Sequence, residues 1–203
     1  MAVQQAYPWN KDRIIGQKKP LQISHIWGIR IRLELEGKAR DLALFNLGLD
    51  SKLRGCDLVK LKVSDVSCGR SLLTRTHVVQ QKTGCPVQFE ITQGTRDSLS
   101  AWIKQAKLSE SDYLFRSRVT GAKHISTRQY NRIFRGWIEK LGLDRSLYST
   151  HSMRRTKPYL IYKKTKNLRV IQLLLGHKKL ESTVRYLGIE VDDALDISES
   201  IEV

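Results

Sequence analysis

Two short stretches of this 203-residue chain carry residue types that do chemistry. THSMRR, Thr150 to Arg155, sets a histidine and an arginine three positions apart. LLLGHKKLESTVRYLG, Leu173 to Gly188, breaks a leucine-rich run at Gly176, presents His177 at once and places Tyr186 nine residues further on. If Ser149 or Thr150 caps a helix, His151 and Arg154 fall in its first turn on one face. A helix N-terminus offers free N–H groups and positive potential, and an arginine fork beside a histidine adds directional, charge-assisted contacts. Such a turn suits a phosphate. Taken singly, each residue also has a plainer reading. Arg154 could be a solvated surface charge, His177 the ordinary successor of a glycine C-cap, and Tyr186 a core residue with its hydroxyl at the edge. Arg54 could pair with Asp50 or Asp57, and Lys82 could be a solvated turn lysine.

The elements that must position these residues follow from periodicity and punctuation. Ser24 is a candidate cap for a first helix. A second helix is expected from about Lys38 to Leu49; Leu42, Leu44, Phe45, Leu47 and Leu49 almost encircle it, which predicts burial. A helical turn follows around LRGCDLVKL. LLTRTHVVQ and PVQFEIT then alternate β-branched and aromatic residues across QKTGC, where Gly84 makes the turn, giving a hairpin with Lys82 at its tip. Leu99, Trp102, Ile103 and Ala106, and later Tyr130, Ile133, Phe134, Trp137, Ile138 and Leu141, recur with helical spacing, with Ser126 as cap of the second set. Further helices are expected over 151–165, 168–175 and 180–187, with Pro158 predicting a bend or restart in the first of them because proline lacks an N–H. The fold class expected is mainly α with a small antiparallel hairpin. Its three parts would be a basic N-terminal arm over 1–20, a catalytic domain over 21–187 and an acidic tail over 188–203 that could form a docking helix.

Charge narrows the class of partner. There are 36 basic residues against 20 acidic ones, a net charge of +16. The last 16 residues contain six acids (Glu190, Asp192, Asp193, Asp196, Glu199, Glu202) and no Lys or Arg, so the rest of the chain is more basic still. A body of that charge suits a polyanion, most often nucleic acid. Three cysteines without a C-x-x-C pair argue against a disulfide framework or a zinc site. No apolar run approaches the ~20 residues that span a bilayer, and the first residues lack a secretory signal, so a cytoplasmic protein with no membrane partner is expected.

Order and spacing then join the separate residues. Arg54, a hairpin lysine, H-x-x-R, G-H and a tyrosine nine residues later together resemble the tyrosine recombinase (phage integrase) family over roughly residues 21–187. LRGCDLVKLKVSDV is similar to the family's first arginine box, with Asp57 as the acid three positions on. QKTG resembles the hairpin lysine, HSMRRT the H-x-L-R-R/H box with Met153 at the usual leucine, and IQLLLGHKKLESTVRYL the stretch around the second histidine and the nucleophile. The likeness is to short members that lack a preceding helical DNA-clamping domain.

The resemblance implies a site of Arg54, Lys82, His151, Arg154, His177 and Tyr186, with Asp57 orienting Arg54. Tyr186 would attack the scissile phosphate and form a 3′-phosphotyrosine ester that conserves bond energy, so neither ATP, cofactor nor metal is expected. Arg54 and Arg154 would hold phosphate oxygens, Lys82 would protonate the leaving 5′-oxygen, His151 would help take the tyrosine proton, and His177 would hydrogen-bond the phosphate. The implied partners are double-stranded DNA and further copies of the chain, a tetramer on DNA. Two other activities compete: a type IB topoisomerase, with similar chemistry but no target site, and a DNA-binding regulator of recombinase ancestry, which would have no need of the six residues. An RNA-binding or ribosomal accessory role explains the charge but not the constellation.

Overall fold

The computed structural model describes residues 17–188 apart from 70 and 120, together with 198 and 199. Among these residues the chain forms α1 (Ile23–Leu35), α2 (Ala39–Ser51), a short α3 (Gly55–Leu58), β1 (Ser67–Cys68), β2 (Ser71–Leu72), β3 (Arg75–Val79), β4 (Pro86–Glu90), α4 (Gln93–Ala106), α5 (Thr127–Lys140), α6 (Thr150–Thr165), α7 (Leu168–Leu175) and α8 (Leu180–Leu187). This is the mainly helical fold with a small antiparallel hairpin that the pattern predicts. The first sixteen residues of the expected basic arm lie outside the described residues, as does nearly all of the acidic tail, so the proposed docking helix does too.

α2 is the central element. Every residue from Ala43 to Ser51 is buried, as the near-complete ring of apolar positions requires. It packs on α1, α4, α6 and β4. Around it gather Phe45, Leu47, Phe89, Leu99, Phe115, Phe134 and Ile138, each at most 2% exposed. Phe45 meets Trp137 edge-on at 5.4 Å. Each such buried side chain contributes about 1.5–3 kcal/mol relative to exposure, so this cluster carries most of the fold. A second, much smaller cluster of Tyr162, Ile171, Leu175 and Leu187 joins α6, α7 and α8.

Two local departures have clear causes. α1 starts at Ile23, not after Ser24, because Gln22 makes the cap: its backbone N–H donates to His25 Nδ1 at 3.3 Å. α6 runs through Pro158 without a break. Only one N–H is missing there, and the residues beside it are held both within the helix and from outside it. Thr156 Oγ1 donates to Ser152 O and accepts from the Leu21 amide. Lys157 ion-pairs with Asp50 at 2.6 Å and with Glu90 at 2.5 Å. β3 and β4 pair from Arg75↔Glu90 to Val79↔Pro86. The turn that follows Val79 is closed by Gln80 N donating to Cys85 O at 3.0 Å and Gly84 N donating to Gln80 O at 2.8 Å.

Candidate active site

Arg54 is set in place by what precedes it. α2 ends in Lys52, whose backbone is left-handed at φ 55°, and the chain turns so that Arg54 becomes the N-cap of α3. Lys52 is 1% exposed. Its ammonium donates to Asp50 O at 2.6 Å and to the Glu90 carboxylate at 2.9 and 3.1 Å. Asp50 also accepts from the Thr92 amide and from the hydroxyls of Thr92 and Thr95. Two cations and two carboxylates therefore balance inside the protein and tie α2, β4, α4 and α6 together. Burial pushes Lys52 below its usual lysine range, although Glu90 opposes the shift. Burial acts the same way on Lys157, yet Asp50 and Glu90 hold it above its usual value. Buried charges without such partners would cost several kcal/mol each.

The arginines meet across one amide. Arg54 Nη1 donates to Gln80 Oε1. Gln80 Nε2 donates to Leu175 O at 3.0 Å, and Arg154 Nη2 donates to the same carbonyl at 3.1 Å. Gln80 is 1% exposed and Arg154 3%. That carbonyl belongs to the last residue of α7, and Gly176 follows with φ +66°. A Cβ on Gly176 would stand 2.4 Å from Val87 and 2.9 Å from Gln80 Nε2, so both the backbone conformation and the close hairpin demand glycine.

α6 begins as expected, with Ser149 as N-cap accepting from the His151 amide at 3.2 Å. His151 stays open at its edge. Burial and the charges of Arg154, Arg54, Lys82 and Arg155 hold its pKa below the ordinary 6.5. His177 projects from the corner after Gly176, and its Nδ1 pairs with Thr183 Oγ1 at 3.1 Å. Burial, then Arg154 and Arg54, push it down to about 4, so it is neutral at physiological pH. Tyr186, on α8, lies edge-on to His177 with ring centroids 5.4 Å apart. The Arg154 and Arg155 guanidinium carbons stand 5.9 and 5.6 Å from its ring centre. Burial pushes the Tyr186 phenol up to about 12 against the pull of both arginines.

Arg54, His151, Arg154, His177 and Tyr186 are thus brought into one site. Lys82 sits at the exposed hairpin turn beside it and makes no side-chain hydrogen bond or ion pair among the described residues. Asp57 differs from what the resemblance implies. It is 3% exposed and bonds not Arg54 but the backbone of the hairpin, its Oδ1 accepting from Gln81 N at 3.0 Å. Nor does Arg54 pair with Asp50, which is saturated by Lys157 and the two threonines.

Three buried side-chain polar atoms lack an internal partner among the described residues: Asp57 Oδ2, Arg154 Nη1 and Tyr186 OH. An unpaired buried polar atom costs about 1–3 kcal/mol, and folded proteins hold few of them. All three belong to the candidate residues. A cleft of about 540 Å³ opens beside Tyr186, lined by His151, Lys18, Arg155, Lys179 and Arg185 with a single acid, Glu181. Its charge and position suit a phosphodiester backbone.

Two participants escape sequence reasoning. Gln80 reads as a polar strand end, and nothing in VVQQK separates it from Gln81. Arg155 reads as a second surface arginine beside Arg154, yet it is buried four residues from His151, donating through Nη1 to Lys18 O at 2.9 Å and through Nη2 to Leu187 O at 3.3 Å. The ion quartet left a signal: Asp50 and Lys52 stand among Leu47, Leu49 and Leu53, where charges need partners.

Comparison with known proteins places the chain in a family. Residues 29–191 match the model of the phage integrase family. A probable integrase/recombinase, YoeC of Bacillus subtilis, is 32% identical over 160 residues, covering 78% of this chain and 82% of that protein. The tyrosine recombinase XerC of Chromobacterium violaceum is 26% identical over 185 residues, 91% of this chain but 60% of that one. Among solved structures, XerA recombinase superposes with a TM-score of 0.71 at 18% identity, covering 91% of this chain and 64% of that one. A lambda integrase dimer bound to a COC′ core site superposes at 0.65 and 19%, covering 86% and 49%. At such identities the structures speak for the fold. No helix among the described residues is long and apolar enough to cross a membrane.

Proposed function

The chain belongs to the phage integrase family of tyrosine recombinases, and we propose that it cleaves and rejoins double-stranded DNA at a specific site through Tyr186. The Tyr186 oxygen attacks the scissile phosphorus, a phosphorus–tyrosine bond forms, and the bond from phosphorus to the 5′-oxygen breaks with its electron pair leaving on that oxygen. The phenol proton passes to His151. The 5′-oxygen takes a proton from Lys82. Arg54 and Arg154 neutralise the non-bridging oxygens as charge builds, and neutral His177 donates a hydrogen bond to one of them. Rejoining is the reverse, with another strand's 5′-hydroxyl attacking the phosphotyrosine ester. The energy of the broken bond stays in that ester, so no ATP is consumed.

The observation that supports this proposal is the buried Tyr186 OH, which lines the cationic cleft and has no hydrogen-bond partner among the described residues, with Arg154, whose Nη1 is likewise without one there, stacked 5.9 Å from its ring. A DNA-binding regulator has no use for a desolvated phenol beside two arginines. Recombination exchanges four strands, so the acting species is a homotetramer on two duplexes. The working location is the cytoplasm, on the nucleoid, and the gene belongs to a mobile element or an inversion switch.

The test is covalent capture. Duplexes randomised around a nick are incubated with the chain and washed under denaturing conditions, so that only covalently held DNA is recovered. Wild type yields adducts with a shared sequence. Tyr186→Phe yields none while its mobility-shift affinity is unchanged, because only the hydroxyl is lost. Adducts without a shared sequence, with relaxation of any supercoiled plasmid, would instead mean a topoisomerase. Binding without adducts in the wild type would mean a regulator.

A further inference from the structure

Gln80 holds a position that the proposed chemistry has not used. It is an uncharged side chain, 1% exposed, and both ends of its amide are engaged. Oε1 accepts from Arg54 Nη1, and Nε2 donates to Leu175 O at 3.0 Å. Arg154 Nη2 donates to the same carbonyl at 3.1 Å. The two arginines, far apart in the sequence, are therefore linked through one amide and one carbonyl. The backbone of Gln80 is equally committed. Its N–H donates to Cys85 O at 3.0 Å and its carbonyl accepts from Gly84 N at 2.8 Å, closing the turn that carries Lys82.

We infer that Gln80 is the positioning residue of the arginine pair, setting Arg54 and Arg154 at the separation that lets both meet one phosphate. This rests on the phosphoryl-transfer chemistry proposed above. Two like charges drawn to one small site repel each other, and in a buried setting that repulsion is strong. A neutral spacer with an acceptor at one end and a donor at the other can seat one guanidinium directly and the other through a shared carbonyl. A carboxylate here would neutralise one arginine and compete with the phosphate for it. Glutamine avoids that competition. Gly176 completes the device, since any side chain there would push Gln80 Nε2 away from the α7 terminus. Gln80 touches no reacting atom in this scheme; it acts through Arg54.

The variants are Gln80→Met, which keeps the length but makes neither bond, and Gln80→Asn, which keeps the amide but is one methylene short. Each is compared with wild type and Arg54→Ala on two nicked substrates of the captured sequence. One carries the ordinary scissile phosphate. The other has a methyl in place of one non-bridging oxygen, so the negative charge that the arginines neutralise is gone. Melting curves and DNA affinity confirm that each variant is folded. On the ordinary phosphate, Gln80→Met should form adduct about 100-fold more slowly than wild type, the scale of a 1 Å misplacement of a catalytic group. On the neutral substrate the deficits of Gln80→Met and Arg54→Ala should both shrink to about threefold or less, because transition-state charge stabilisation is no longer required. Gln80→Asn should follow the same pattern at smaller amplitude. If folded Gln80→Met and Gln80→Asn stay equally defective on both substrates, or are not defective at all, the positioning role is wrong. If Arg54→Ala itself is not relieved by the neutral substrate, the fault lies with the assignment of Arg54.

Discussion

In the proposed scheme, the half of the site that holds the phosphate and the half that attacks it rest on different foundations. Arg54 follows α2, the most deeply buried helix, and is backed by the Asp50–Lys52–Glu90–Lys157 quartet. Tyr186 stands on α8 and His177 at the corner between α7 and α8, two helices of eight residues each held by a cluster of four buried apolar side chains. α6 bridges the two regions. Met153 lies in the large core and Tyr162 in the small one, with His151, Arg154 and Arg155 near its N-terminal end. The contrast teaches a division of labour. Electrostatic catalysis needs fixed charges, because a cradle that must reorganise loses its advantage. A nucleophile that attacks, stays covalently attached and later departs needs a support that can give locally, and such segments come from the less stable end of a protein.

Substitution in either region sharpens the contrast. Phe134, fully buried in the large core, should cost about 3–5 kcal/mol when replaced by alanine. Denaturant titration of Phe134→Ala would show this, and binding and cleavage should decline together. Ile171, fully buried in the small cluster, should cost about 2–4 kcal/mol as alanine, but the loss should be regional. Native-state amide exchange should accelerate over α7, α8 and the end of α6 and stay unchanged in α2, while adduct formation drops and DNA binding persists. Equal acceleration in α2 would mean that the two regions open as one unit and that the contrast is false.

A smaller effect separates the two histidines. Both are held below 6.5, His151 by burial and four cations and His177 by burial and the arginines, the latter to about 4. A lowered pKa leaves the neutral form dominant at pH 7, and protonation occurs only as pH falls below the ordinary value. If neutral His151 takes the Tyr186 proton, the second-order rate of adduct formation should fall on acidification, with a midpoint below 6.5. His151→Gln, which does not titrate, should be slow and flat across that limb. His177→Gln should keep the limb. A limb that survives in His151→Gln would assign the base elsewhere.

The same contrast explains what the sequence revealed. α2 was legible because leucines surround it, and α5 because its apolar positions repeat at helical spacing behind Ser126. The candidate site was legible as a constellation because its residue types recur in order at recognisable spacing, although each alone has a plainer reading. Contacts fixed only in three dimensions were not legible. Asp57 supports the hairpin backbone rather than Arg54, and Gln80 takes the place beside that arginine. Two adjacent glutamines are equivalent in a sequence, and only strand register decides which is buried. Pro158 misleads for a related reason: local chemistry predicts a break, and the tertiary contacts of Thr156 with Leu21 and of Lys157 with Asp50 override it.

The most direct test of the account is to identify the residue that carries the DNA. Captured adducts are digested with nuclease and protease, and the peptide bearing the remaining nucleotide is sequenced by mass spectrometry. The account predicts a single modified peptide from α8, with Tyr186 esterified to a 3′-phosphate and a free 5′-hydroxyl on the released strand. A nucleotide on Tyr159 or Tyr162, or a 5′-phosphate linkage on any residue, would contradict it.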